Sequence, residues 1–198
     1  DAIEALLDDH TAAVMIELIQ GEGGVEPQDK AKVQALAKLL KEKHIPLIID
    51  EVQTGAYRTG EFTASQVYGI EPEIITLAKG VGGGVPVGIV MTTLKHVLSA
   101  GDHGSTFGGN PLANKVAVAA LEVVKEEKLS ENAERLGRIL RSELEDFEND
   151  MITLVRGKGL LNAIVIKPKN GKQAWDVCLK LRDNGLLAKP THGDIIRF

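Results

Sequence analysis

The stretch "LIID" (47–50) carries an apolar run straight into a carboxylate, Asp50, and a second acid, Glu51, follows it. A carboxylate at a buried strand end bears a heavy desolvation cost unless a cationic ligand atom or a positive side chain meets it. The lysine of "LAKGVGGG", Lys79, stands between another apolar run and a glycine-rich turn. An amine with a crowded backbone and partial desolvation suits Schiff-base chemistry. Glu22 follows a further apolar run, so three ionisable residues fall at run ends. In an open parallel sheet those ends form one rim, where ligands bind. A structural ion pair between Asp50 and Lys79, or helix capping by each, accounts for either residue taken alone. Glycines 80, 82, 83 and 84 also admit a phosphate-loop reading. It is weak, because the lysine precedes the glycines and no G-x-x-x-x-G-K-[ST] or G-x-G-x-x-G follows in a strand-to-helix context. In "HGSTFGGNP", Ser105 and Thr106 offer hydroxyls and loop amides for a phosphate group just ahead of a helical pattern. A turn with a hydroxyl N-cap explains them almost as well. His103 sits beside this loop, while His10, His44, His96 and His192 lie on polar stretches, and none is assigned a role.

The elements that must hold these residues alternate. Residues 12–18 read as a buried strand, "DKAKVQALAKLLKEKH" as an amphipathic helix, and "IPLIID", "EIITLAKG" and "VPVGIVMTT" as further strands. Apolar strands alternating with a helix predict a mostly parallel α/β sheet covered on both faces. After residue 110 two long helical patterns follow, the second with Ser130 as its N-cap, then a two-strand unit with a glycine turn at "ITLVRGKGLLNAIVI". One more helix, "GKQAWDVCLKLRDNG", precedes final strands in "LLAKP" and "DIIRF", which predicts a small α+β unit with an antiparallel sheet. The boundary falls near residues 110–130, inside a long helix. No internal repeat or low-complexity tract is present.

Composition narrows the function. At 198 residues, 43% apolar and 26% charged, the chain has ordinary globular usage. A net charge of −5 without a dense Lys/Arg run argues against nucleic acid as a partner and favours a small molecule or a protein. The single Cys178 cannot form an internal disulfide, and no paired His/Cys spacing suggests a metal site. A reducing compartment follows, with the cytoplasm expected and a mitochondrial matrix as the alternative. No apolar run approaches membrane-spanning length. The chain opens on Asp1 and closes on "DIIRF" while still strand-like, so it reads as a piece cut at both ends.

The segments "IELIQGEGG", "IIDEVQTGAYRTG", "PEIITLAKGVGGGVPVG" and "HGSTFGGNPLA", in this order and at these separations, resemble the class III aminotransferases. These enzymes use pyridoxal 5′-phosphate (PLP) on the large fold type I scaffold. The likeness spans essentially the whole chain. It implies that residues 1–115 are part of a PLP-binding large domain and that 116–198 are a linking helix and part of a small C-terminal domain. It also implies roles for single residues. Asp50 matches the aspartate that pairs with the protonated pyridine nitrogen, which keeps the ring an electron sink. Val52 is placed to pack on a ring face and Gln53 matches the residue at the ring 3′-oxygen. Lys79 matches the lysine that links to the cofactor and then shuttles a proton between substrate carbon and cofactor C4′. Ser105 and Thr106 match the loop that reaches the PLP phosphate of the neighbouring subunit, which implies a homodimer with shared sites.

Within the family the resemblance is to the ornithine group. The first hundred residues are more similar to acetylornithine aminotransferases, and the tail, through "NGLLAKPTHGDIIRF", to ornithine δ-aminotransferases. Arg197 matches the arginine that holds the α-carboxylate of 2-oxoglutarate, for which a guanidinium fork is suited. Glu22 matches the glutamate that pairs with it in the first half-reaction and releases it for the second. The resemblance thus implies δ-amino transfer from ornithine to 2-oxoglutarate, with N-acetylornithine as the alternative donor. Leu18 stands where relatives carry proline. The upstream glycine-rich phosphate turn, the aromatic ring stack and a second substrate arginine have no counterpart in these residues. A rival of another class is therefore a truncated domain without catalysis.

Overall fold

The computed structural model describes residues 3–198. Short β-branched runs build its first sheet. β1 (Val14–Ile16) is followed by β2 (Ile19–Gln20) and β3 (Glu26–Pro27), an antiparallel ribbon closed by the glycines 21, 23 and 24. α1 (Lys30–Glu42) begins at Asp29, whose carboxylate accepts from Lys32 N at 2.8 Å, and buries Val33 and Leu40. β4 (Leu47–Asp50), the single-turn α2 (Ala64–Tyr68) and β5 (Ile74–Leu77) come next. Lys79–Gly82 is a 3₁₀ turn, and β6 (Ile89–Thr92) ends the unit. The sheet order is β1-β4-β5-β6, with β1, β4 and β5 parallel and β6 antiparallel to β5.

Two details of this first sheet differ from the sequence expectation. The first strand is confined to Val14–Ile16 because the chain then leaves the ladder: the Glu17 carboxylate accepts from Gly21 N at 3.0 Å and the Leu18 carbonyl from Gln28 N at 2.9 Å. Coverage is one-sided at the sheet's margins. Met15 is 57% and Val90 66% exposed, whereas Leu47 and Ile49 of the central β4 are buried with Val33 and Leu40.

α3 (Pro111–Glu126) starts at Asn110, whose side-chain oxygen accepts from Ala113 N at 2.8 Å, and has proline in its first turn, where no amide donor is needed. α4 (Leu129–Asp146) is entered through Lys128 in the left-handed region at φ 53°. Ser130, expected as the cap, instead sits one residue inside the helix with its hydroxyl toward Glu131. β7 (Ile152–Lys158), β8 (Leu161–Ile166), α5 (Ala174–Asp183), β9 (Lys189–Thr191) and β10 (Ile195–Arg197) complete the chain. They form an antiparallel sheet of order β7-β8-β10-β9.

Alternation along β8 joins the two sheets. Ala163 belongs to the core shared with β4 and α1, while Ile164 and Ile166 face Ala174 and Cys178 of α5. Burial pushes the Cys178 thiol above its ordinary pKa, as an inert core cysteine requires. No helix among the described residues is long and apolar enough to cross a membrane.

α4 crosses the β7–β8 turn at Gly137, where a Cβ would overlap the carbonyl oxygen of Gly159. Arg141, one turn later, donates to the Asn162 side-chain oxygen at 2.6 Å and to the Gly159 carbonyl at 3.3 Å. Backbone cannot yield as a side chain can. Gly137→Ala is therefore expected to cost about 3 kcal/mol, the upper end for overpacking, and to lower Tm by roughly 6–12 °C in a thermal melt.

Candidate active site

Asp50 ends β4 and is in register with Thr76 on β5, three residues before Lys79. Both sites thus lie at the carboxyl ends of neighbouring parallel strands. The Asp50 Oδ1 accepts from Val52 N at 2.9 Å and lies 3.4 Å from the Thr76 hydroxyl. Among the described residues Oδ2 has no hydrogen-bond partner. One face of the carboxylate is fixed and the other is available to a cationic atom.

Val52, Gln53 and Lys79 line one hollow of about 310 Å³, together with Tyr57, Arg58 and Val124. Asp50 borders another, of about 860 Å³, between β1 and α1. Lys79 is exposed and holds a left-handed backbone at φ 51°, a conformation that costs a non-glycine residue free energy and concentrates at functional positions. Ser105 and Thr106 border neither hollow. They occupy an exposed loop in which the Ser105 hydroxyl accepts from Gly108 N at 3.0 Å.

Glu22 and Arg197, 175 residues apart in the chain, meet: Arg197 Nη1 is 3.1 Å from Glu22 Oε2 and donates to the Gly21 carbonyl at 2.7 Å. Arg197 Nε is buried with no hydrogen-bond partner among the described residues. A buried donor left without an acceptor is costly, so this guanidinium is suited to a further anionic partner. The Gly21 backbone also links the two halves of the site, since a Cβ there would come within 2.5 Å of the Gln53 side chain.

Several residues of the site carry no motif. Lys189 donates to Glu22 Oε1 at 2.8 Å. Thr191 donates to the Glu22 carbonyl at 3.2 Å, and His192 Nε2 approaches the same oxygen at 3.1 Å. Arg156 donates to the Gly24 carbonyl at 2.9 Å and pairs with Glu26. These contacts span more than a hundred residues, so local spacing could not reveal them. The signal that could was "KPTHGDIIR", where a lysine and an arginine flank a tight turn.

The hydrogen bond from Lys189, then the Arg197 charge, lower the Glu22 pKa, against a smaller opposing effect of desolvation. Because the folded value lies below the ordinary 4.5, the pairing contributes above that pH and is lost only as pH falls through the lower folded value.

Val52, Gln53 and Lys79 thus give one hollow an apolar face, an amide and an amine, while the Asp50 acceptor borders the other. Comparisons with known proteins identify the family. The family model "Aminotransferase class-III" matches residues 1–198. The chain is 50% identical over 197 residues to the rat protein named "Ornithine aminotransferase, mitochondrial", covering 98% of this chain and 45% of that one. The crystal structure of acetylornithine aminotransferase from Elizabethkingia anophelis superposes with TM-score 0.92 at 48% identity, over 100% of this chain and 51% of that chain. A Toxoplasma gondii ornithine aminotransferase structure with partial occupancy of PLP at its own active site gives TM-score 0.91 at 44% identity, over 98% and 47% of the two chains. The chain spans about half the length of the relatives it matches. With its entire length under one family model and close relatives in sequence and in structure, this chain belongs to the class III aminotransferases.

Proposed function

We propose that the protein moves the δ-amino group of ornithine to 2-oxoglutarate, giving glutamate 5-semialdehyde and glutamate, with PLP as cofactor. The cofactor, when bound, supplies an electron sink for the carbanion formed at the amino-bearing carbon. The Asp50 carboxylate would hold the ring nitrogen protonated, Val52 would pack on the ring and Gln53 would meet its 3′-oxygen. Lys79 would hold the cofactor at its aldehyde carbon and would carry the proton to and from the substrate carbon. The unpartnered Oδ2 of Asp50 and the shared hollow of Val52, Gln53 and Lys79 support this assignment. Residues 1–115 serve as part of the cofactor domain and 116–198 as the linking helix and part of the small domain.

The observation that carries the substrate reading is the ion pair between Glu22 and Arg197. Neutralised by Glu22, the arginine leaves the site open to a cationic amine end; released, it presents a fork to the α-carboxylate of a dicarboxylate. One pocket can then serve both half-reactions. Ser105 and Thr106 serve the phosphate of a neighbouring subunit in a homodimer, a role supported by the exposure of their loop, where Phe107 is 81% exposed.

Amino-donor competition with full-length protein tests the reading. The kcat/KM for ornithine is expected to exceed that for N-acetylornithine by at least about tenfold, because acetylation removes the α-ammonium charge and adds bulk. The reverse preference would assign the protein to acetylornithine.

A further inference from the structure

Glu22 has two cationic partners, and the hairpin explains why. Lys189 and Arg197 are directly opposed across the antiparallel β9–β10 pair, so their side chains project from the same face. Each takes one carboxylate oxygen, Lys189 at 2.8 Å from Oε1 and Arg197 at 3.1 Å from Oε2. The Glu22 main chain is meanwhile fixed by Thr191 and His192 at its carbonyl and by Arg197 at the carbonyl of Gly21. The Thr191 and His192 contacts hold the Glu22 main chain independently of its carboxylate, whose Oε1 is already on Lys189.

We propose that Lys189 is a positioning residue that retains Glu22 when Arg197 is released to a substrate carboxylate, and so sets the balance between the amino-donor and dicarboxylate forms of the pocket. The inference deepens the substrate reading above and rests on Arg197 as the dicarboxylate site. Its physical basis is competition for one anion. With Lys189 present, opening the Glu22–Arg197 pair leaves the glutamate still partnered. Without it, Glu22 has Arg197 as its remaining side-chain cation among the described residues, and the closed form gains. The Lys189 hydrogen bond is also the largest cause of the lowered Glu22 pKa, ahead of the Arg197 charge.

Both side chains are about 60% exposed, which limits the effect to a fewfold. In full-length protein, Lys189→Met is expected to raise the Kd for glutarate, a dicarboxylate that cannot react, by about three- to fivefold by calorimetry. The KM for 2-oxoglutarate should rise in step, while the KM for the amino donor stays level or falls. Lys189→Arg should restore native behaviour. In a Glu22→Ala background Lys189→Met should have no further effect. An unchanged glutarate Kd in Lys189→Met overturns the proposal. So does an equal rise in the Glu22→Ala background, which would mean that Lys189 attracts the dicarboxylate directly, and so does parallel weakening of both substrates. Failure of the native protein to use ornithine would instead sink the donor assignment, and the glutarate comparison would still judge Lys189.

Discussion

Replacing Lys79 with alanine is expected to lower amino-transfer turnover of the full-length protein by at least about a thousandfold while leaving thermal unfolding almost unmoved. The amine is asked for two things, a covalent hold on the cofactor and proton transfer at the substrate carbon, and the second alone accounts for about 10²–10⁴ in rate. The variant is a clean probe for structural reasons. The Lys79 side chain is exposed and makes no hydrogen bond among the described residues, so its removal leaves no cavity and no orphaned partner. Alanine meets the same left-handed strain at φ 51° that lysine does, whereas glycine would relieve it and confuse the comparison. The change in stability should stay within about 0.5 kcal/mol. Added PLP should give a Lys79-dependent visible band in the native protein that the variant lacks. Turnover within tenfold of native, or a band that survives the substitution, sinks the assignment; so does a native protein that never shows the band, which would favour an inert domain.

How much of this was legible depends on range. Asp50 and Lys79 stand out because each interrupts an apolar run, and a run that stops on a charge is a local signal. The helices were equally plain, since Val33 and Leu40 fall at helical spacing and are the residues that α1 buries. The antiparallel direction of β6 was not, because alternation has the same period whichever way a strand runs. Glu51 was noted only as a second acid after Asp50, yet it is the fully buried one, while Asp50 is half-buried at the strand end. Ser130 fits the composition of a cap, but the turn is made two residues earlier by Lys128 in a left-handed conformation unusual for lysine. The likeness to a family carried Glu22 and Arg197, whose pairing is contact across 175 residues; Lys189, Thr191 and His192, joined to the same glutamate, had no such marker.

The second large effect concerns stability and reaches the site through one turn. Glu51 is 0% exposed and has no cationic partner among the described residues; its carboxylate is satisfied by four donors. The Ala64 amide reaches Oε2 at 2.9 Å, the Ser65 amide and hydroxyl reach Oε1 at 2.8 Å each, and the Thr54 hydroxyl completes the set. This carboxylate ties the turn after β4 to the start of α2, so Val52 and Gln53 are held between two anchored points. Glu51→Ala would strand four buried donors at once. It is expected to cost about 3–5 kcal/mol and to lower Tm by roughly 6–20 °C. Glu51→Gln keeps the shape but turns an amide donor toward groups that are themselves donors, so it should fall between alanine and native. If the turn is what this anchor serves, the Kd for PLP should rise in the same order, glutamine then alanine, at temperatures where both variants remain folded. A melt unchanged by Glu51→Ala would mean that water or backbone shifts replace the lost acceptor. A lower Tm with native PLP affinity would confine Glu51 to the core and leave the Val52–Gln53 turn positioned by Asp50 and Gly21 alone.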